Sequence, residues 1–101
     1  MKEKYTAAQI SRIIDQALVY QCACPAQVCK TLLELRELWA YQQNCLGKTD
    51  VDKAVHQAIA LSTEIAHAEY ERCLETLLQL EGWDLATLTM PDLMKAKALK
   101  L

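Results

Sequence analysis

Residues 51–81, VDKAVHQAIALSTEIAHAEYERCLETLLQLE, run without a single glycine or proline. Apolar residues recur through them at alternating steps of three and four, the period of a helix face. One stripe is Val51, Val55, Ala58, Ser62, Ile65/Ala66, Cys73, Leu77 and Leu80, and it is expected to face the core. A second stripe, His56, Ala60, Thr63, His67, Tyr70, Leu74 and Leu77, lies about 100° around the same helix. Leu61 and Leu78 widen it. A helix apolar on more than one face needs more than one neighbour.

The flanks set the limits of this long helix. Thr49 is placed to cap its start, and Asp52 falls in the first turn, where the helix dipole favours a carboxylate. Gly82 suits the C′ position, with Trp83 folding back on Leu78 as in a Schellman ending. Upstream, Gly47 reads as the stop of another helix that opens at Pro25, with Cys24 at or near its N-cap. Val28, Leu32, Leu35, Trp39, Gln42 and Leu46 form a heptad stripe on it. A first helix is predicted over residues 7–21, with Thr6 and Gln9 as a capping box and Ile10, Ile13, Ile14, Ala17, Leu18 and Tyr20 on one face. A short fourth helix is predicted from Met90-Pro91 onward. The connections at 22–24 and 47–50 are short, which makes neighbouring helices antiparallel. The expected fold is therefore all-α: an antiparallel bundle of three main helices with a short C-terminal fourth helix, one domain over residues 1–101.

Composition agrees. Hydrophobic residues make up 52% of the chain against only 2 Gly and 2 Pro, too few turn formers for an all-β domain. The net charge is -2, with basic residues scattered among acidic ones, so no phosphate-binding footprint is present and nucleic acid is not an expected partner. No apolar run reaches the ~18 residues of a membrane span, and the first ten residues carry no apolar signal region. A cytoplasmic location with reduced thiols is the expectation for the five cysteines.

Cys22, Cys24 and Cys29 bracket the first interhelical turn, and antiparallel pairing of the second and third helices brings Cys73 back towards residue 24. Four thiols then gather at one end, with Cys45 at the other. Such a set offers soft donors for zinc or an iron centre. A thiol-redox role is the other chemistry, since Cys24 near a helix N-terminus has its thiolate stabilised and Cys22 or Cys29 stands by to resolve it. The same residues also serve a helical core as small apolar groups, and no Cys-x-x-Cys pair is present.

Glu64-Ile65-Ala66-His67 is a Glu-x-x-His on a helix, which puts one oxygen and one nitrogen ligand on the same face. Glu34 and Glu37 lie at a matching height on the facing helix. The hairpin from Glu34 to His67 resembles half of a ferritin-like bundle, in particular the two-helix chains of encapsulated ferritins, which dimerise to make an iron site. That resemblance implies a metal-binding dimer with Glu34, Glu64 and His67 as ligands. Read without it, Lys53, Gln57, Glu64, Glu71 and Glu75 form a solvated face. His56 and His67 then sit at its boundary, His56 next to Tyr41. Gly-rich phosphate loops and a nucleophile elbow are missing, so catalysis is not the expectation and the cofactor, zinc or iron if any, stays open. The leading expectation is a small helical protein that acts through self-association or by binding another protein. A homo-oligomer covers the second stripe, with Leu74 in the contact and Leu88 in a loop outside it.

Overall fold

The computed structural model describes residues 1–18, 24–45 and 47–91. It contains α1 (Ala7–Ala17), α2 (Cys24–Asn44) and α3 (Asp50–Leu80). Among the described residues there is no strand, only an isolated bridge between Asp84 and Thr89. The predicted fourth helix starts at Met90-Pro91; these two residues are not helical, and the rest of it falls on 92–101, outside the described residues, as does the end of the first helix beyond Leu18.

Local chemistry sets the helix limits. Thr6 is extended, its hydroxyl accepts from the Gln9 amide at 3.1 Å, and the Gln9 side chain returns the bond to the Thr6 amide at 2.9 Å. Thr49 is extended too and accepts from the Asp52 amide at 3.1 Å. Each such cap contributes ~1 kcal/mol. At the far end of α3, Trp83 N–H donates to the Leu78 carbonyl and Gly82 N–H to the Gln79 carbonyl, both at 3.0 Å. This is the paired bonding of a Schellman motif. It needs the left-handed φ of +76° at Gly82.

Past that turn the chain folds back on α1. Asp84 organises the loop: its Oδ1 accepts from the Ala86 and Thr87 amides at 2.9 and 3.1 Å, which holds its carboxyl below the usual range. Arg12 of α1 donates to the Thr87 carbonyl at 2.6 Å, and the Gln16 side chain accepts from the Met90 amide at 3.3 Å. Leu88 and Met90 are thereby buried. Leu88 sits in a loop as expected, but it is a core residue, with a left-handed φ of 56° at a non-glycine position.

The apolar core is confined to one end of the molecule. Tyr5, Ile10, Ile13 and Ala17 close over Cys29 and Leu32 of α2, Leu74 and Leu78 of α3, and Trp83, Leu88 and Met90. α1 packs against α2, and α2 packs along α3. Beyond Leu32 and Leu74 the buried side chains along the α2–α3 contact are, among the described residues, polar: Gln42, Thr63, His67 and Glu71. The molecule is correspondingly long, 58 × 20 × 18 Å, with a radius of gyration of 16.7 Å. A compact domain of this length has ~13 Å.

Two expectations about α3 are reversed. The stripe Val51–Val55–Ile65–Leu80 was expected to face the core, yet these residues are 72%, 50%, 65% and 83% exposed. Thr63, His67 and Leu74 of the second stripe are the ones buried, so Leu74 is a core residue and not a contact for a second chain. Glu71, expected on the solvated face, is buried as well. The physical reason is that α2 presents Arg36 and Gln42 towards α3, and these polar groups meet His67 and His56 of the second stripe and Glu71 beside it.

Candidate functional site

Four places stand out among the described residues: the cysteines, the buried polar cluster, the hollow beside His56, and the outer face of α3.

Cys29 is fully buried in the core, and burial pushes its thiol up to about 12, so it stays protonated. Cys24 is exposed at the first residue of α2; Cys73 and Cys45 are half-buried. Cys29 shares its core with Leu74, the neighbour of Cys73. Cys22 lies outside the described residues. Among the described residues, no group of three or more His, Cys, Asp or Glu side chains stands close enough to hold a metal ion.

The proposed ferritin-like ligands go to different places. Glu34 and Glu64 are exposed, and Glu64 accepts from the Trp39 indole N–H at 3.3 Å. His67 is not a boundary residue but is 1% exposed. Its Nε2 accepts from Arg36 Nε at 2.9 Å, so a cationic N–H occupies the lone pair a metal would use. Its Nδ1 faces Glu71 Oε1 at 3.6 Å. Burial lowers the His67 pKa, against the opposing pull of the Glu71 charge. The ring is therefore neutral, with its proton on Nδ1, towards the carboxylate.

Glu71 is the centre of this cluster. Its Oε2 accepts from the backbone amides of Lys4 and Tyr5 at 2.6 and 3.0 Å and stands 3.4 Å from the Arg36 guanidinium. Arg36 Nη2 also donates to the Tyr5 carbonyl at 2.5 Å, and its Nε lies 3.4 Å from Glu3. Lys4 pairs with Glu75. The cluster thus fixes the segment ahead of α1 by its backbone and lets Tyr5 enter the core. Among the described residues no buried side-chain nitrogen or oxygen lacks a hydrogen-bond partner. The cluster ties the segment ahead of α1 to α2 and α3.

Farther along the α2–α3 contact, His56 Nδ1 meets the Gln42 amide oxygen at 2.7 Å. The expected neighbour, Tyr41, is 63% exposed instead; it sits one residue, about 100°, away from the face that packs. A hollow of about 220 Å³ lies there, lined by Gln42, Cys45, Lys53, His56, Gln57 and Ala60.

The outer face of α3 is the remaining site. Val51, Val55, Leu61 and Ile65 are 72%, 50%, 60% and 65% exposed, and Ala54, Ala58 and Ser62 between them are exposed too. These seven positions carry no charge, while Asp50, Asp52, Lys53, Glu64, Glu69 and Arg72 surround them. The face points away from α2, and α1, only 11 residues long, packs on α2. What could have revealed this in the sequence is the chemistry of the two stripes: one carries no group more polar than Ser62 and Cys73, and the other carries His56 and His67, which need partners inside the same chain.

No protein-family model, curated protein or solved structure matches the chain.

Proposed function

We propose that the protein is a non-enzymatic helical interaction module that associates with itself through the outer face of α3. Its three helices run as an antiparallel bundle. The antiparallel course is supported by the side-chain pairs between α2 and α3. Arg36 meets His67, Trp39 meets Glu64 and Gln42 meets His56, so partner numbers fall as residue numbers rise.

One observation carries the functional reading: the more apolar stripe of α3 is the one left in water. Each large side chain on it stands to gain ~1.5–3 kcal/mol by full burial. A chain that buries histidine and glutamate while exposing valine, leucine and isoleucine has its second apolar face available for another helix. No described helix is long and apolar enough to cross a membrane.

The test is the mass of the full chain by sedimentation equilibrium, under reducing conditions so that thiols do not contribute. An assembly larger than one chain at tens to hundreds of micromolar is expected. The double variant Leu61→Glu/Ile65→Glu is expected to reduce it to a monomer with unchanged helix content, since both positions are exposed. A monomeric wild-type chain overturns the proposal. So does a double variant that associates as well as the wild type.

A further inference from the structure

The segment ahead of α1 is held at few points. Lys2, Glu3 and Lys4 are exposed, and Tyr5 is the one buried side chain of residues 1–5. A hollow of about 360 Å³, lined by Met1, Lys2, Glu64, Ala68 and Glu71, lies between the start of the segment and α3. Apart from the Lys4–Glu75 pair, the polar contacts of residues 1–5 with α2 and α3 go, among the described residues, to two side chains. Glu71 accepts from the amides of Lys4 and Tyr5, and Arg36 donates to the Tyr5 carbonyl and stands beside Glu3. A segment with one buried side chain and so concentrated a set of bonds opens at a lower free energy than the core it leans on.

Arg36 is itself held by His67. Its Nε donates to His67 Nε2 at 2.9 Å, while Nη2 of the same guanidinium reaches the Tyr5 carbonyl. A proton added to the neutral ring goes to Nε2. There it meets the Arg36 N–H, donor against donor, and it sets a second cation beside the guanidinium at a side chain that is 1% exposed. Burial opposes this proton most strongly. Glu71 of α3 favours it, Arg36 of α2 opposes it, and from the segment itself Glu3 favours it and the Met1 amino group opposes it. Once the segment lifts, Arg36 loses its tie to Tyr5 and is able to turn into water, which relieves both the burial and the clash of donors. The strapped state therefore excludes the proton and the released state accepts it.

From this geometry we infer that Arg36, His67 and Glu71 form a proton-operated latch. Protonation of His67 turns Arg36 away, draws Glu71 to the imidazolium, and frees residues 1–5, with Tyr5 leaving the core while α2 and α3 stay folded. The latch is independent of the self-association proposed above. Release takes up one proton, so the opening equilibrium shifts by about tenfold per pH unit below 6.5, until the strapped state is protonated as well. Residue-resolved amide hydrogen exchange on the full chain, corrected for the intrinsic effect of pH, tests this. Protection of the Lys4 and Tyr5 amides is expected to fall about tenfold between pH 6.5 and 5.5 and to stay well below that of Leu74 and Leu78 throughout. His67→Gln keeps an acceptor for Arg36 and has no proton to gain, and it is expected to abolish the pH dependence. Glu71→Gln is expected to cut the protection of both amides more than about tenfold at pH 7.5 with Leu74 still protected. Equal protection of Lys4 and Tyr5 at pH 7.5 and 5 overturns the latch. So does protection lost only together with that of Leu74 and Leu78, the mark of whole-chain unfolding. Both are read on the wild-type chain and depend on no variant. A pH dependence that survives in His67→Gln, or unchanged protection in Glu71→Gln, overturns it equally.

Discussion

His67 is held neutral between a guanidinium and a carboxylate, and that has a pH consequence with a definite sign. Burial lowers its folded pKa below the ordinary 6.5. Above pH 6.5 the folded and unfolded chains are both neutral here and stability is full. As pH falls below 6.5 the unfolded chain takes up a proton that the folded one resists, and stability declines. Thermal unfolding is expected to show a midpoint falling through that window, and His67→Gln is expected to flatten the slope. An unchanged slope in the variant assigns the effect elsewhere. Cys29 gives a second check at this scale. With its thiol raised to about 12 by burial, it is expected to resist alkylation in the folded chain at mildly alkaline pH and to react only on unfolding. Equal labelling of Cys29 before and after denaturation would contradict its place in the core. The partner of His67 was not legible in the sequence. Glu-x-x-His directs attention three residues back, to Glu64, whereas the ring faces Glu71, four residues on. That pairing shows itself only once Arg36 and the backbone of Lys4 and Tyr5 are brought alongside, and those contacts span more than thirty residues of chain.

Among the elements, those whose ends are written in neighbouring residues were readable. The Thr6–Gln9 box, the Thr49 cap and the Gly82–Trp83 ending depend on side chains within five residues of the bond they make. Gly82 allows a clean measurement. A Cβ there would meet only Pro91, at an ordinary 3.5 Å, so Gly82→Ala tests backbone strain at φ +76° and little else. It is expected to destabilise the fold by about 1–2 kcal/mol, read as a lower denaturant midpoint at unchanged slope. A neutral result would mean the Schellman turn does not hold the end of α3. The face that α3 buries was not readable in the same way. Period tells which residues share a face, and it shows two faces on this helix. The choice between them was made by α2, through Arg36 and Gln42, and greater apolar character alone pointed to the wrong one.

Across the whole molecule, burial is uneven. The apolar core joins α1, the first half of α2, the last third of α3 and the loop to Met90, while, among the described residues, 50–62 of α3 have only α2 packed beside them and no buried side chain. Amide hydrogen exchange is expected to be slowest around Leu74 and Leu78 and fastest, among helical residues, over 51–62. Raising the chain concentration is expected to slow exchange in the second segment, where the proposed self-association face lies, and to leave the first unchanged. Uniform exchange along α3 at all concentrations would argue against both the one-ended core and the contact. The molecule's proportions also bear on how its mass is to be read. A body 58 Å long and 20 Å across meets more hydrodynamic friction than a sphere of equal mass, so a single chain elutes early on a column calibrated with globular proteins. Two chains paired across the middle of their longest helices gain width rather than length, and friction then grows more slowly than mass. The elution shift on pairing is accordingly smaller than a doubling of mass suggests.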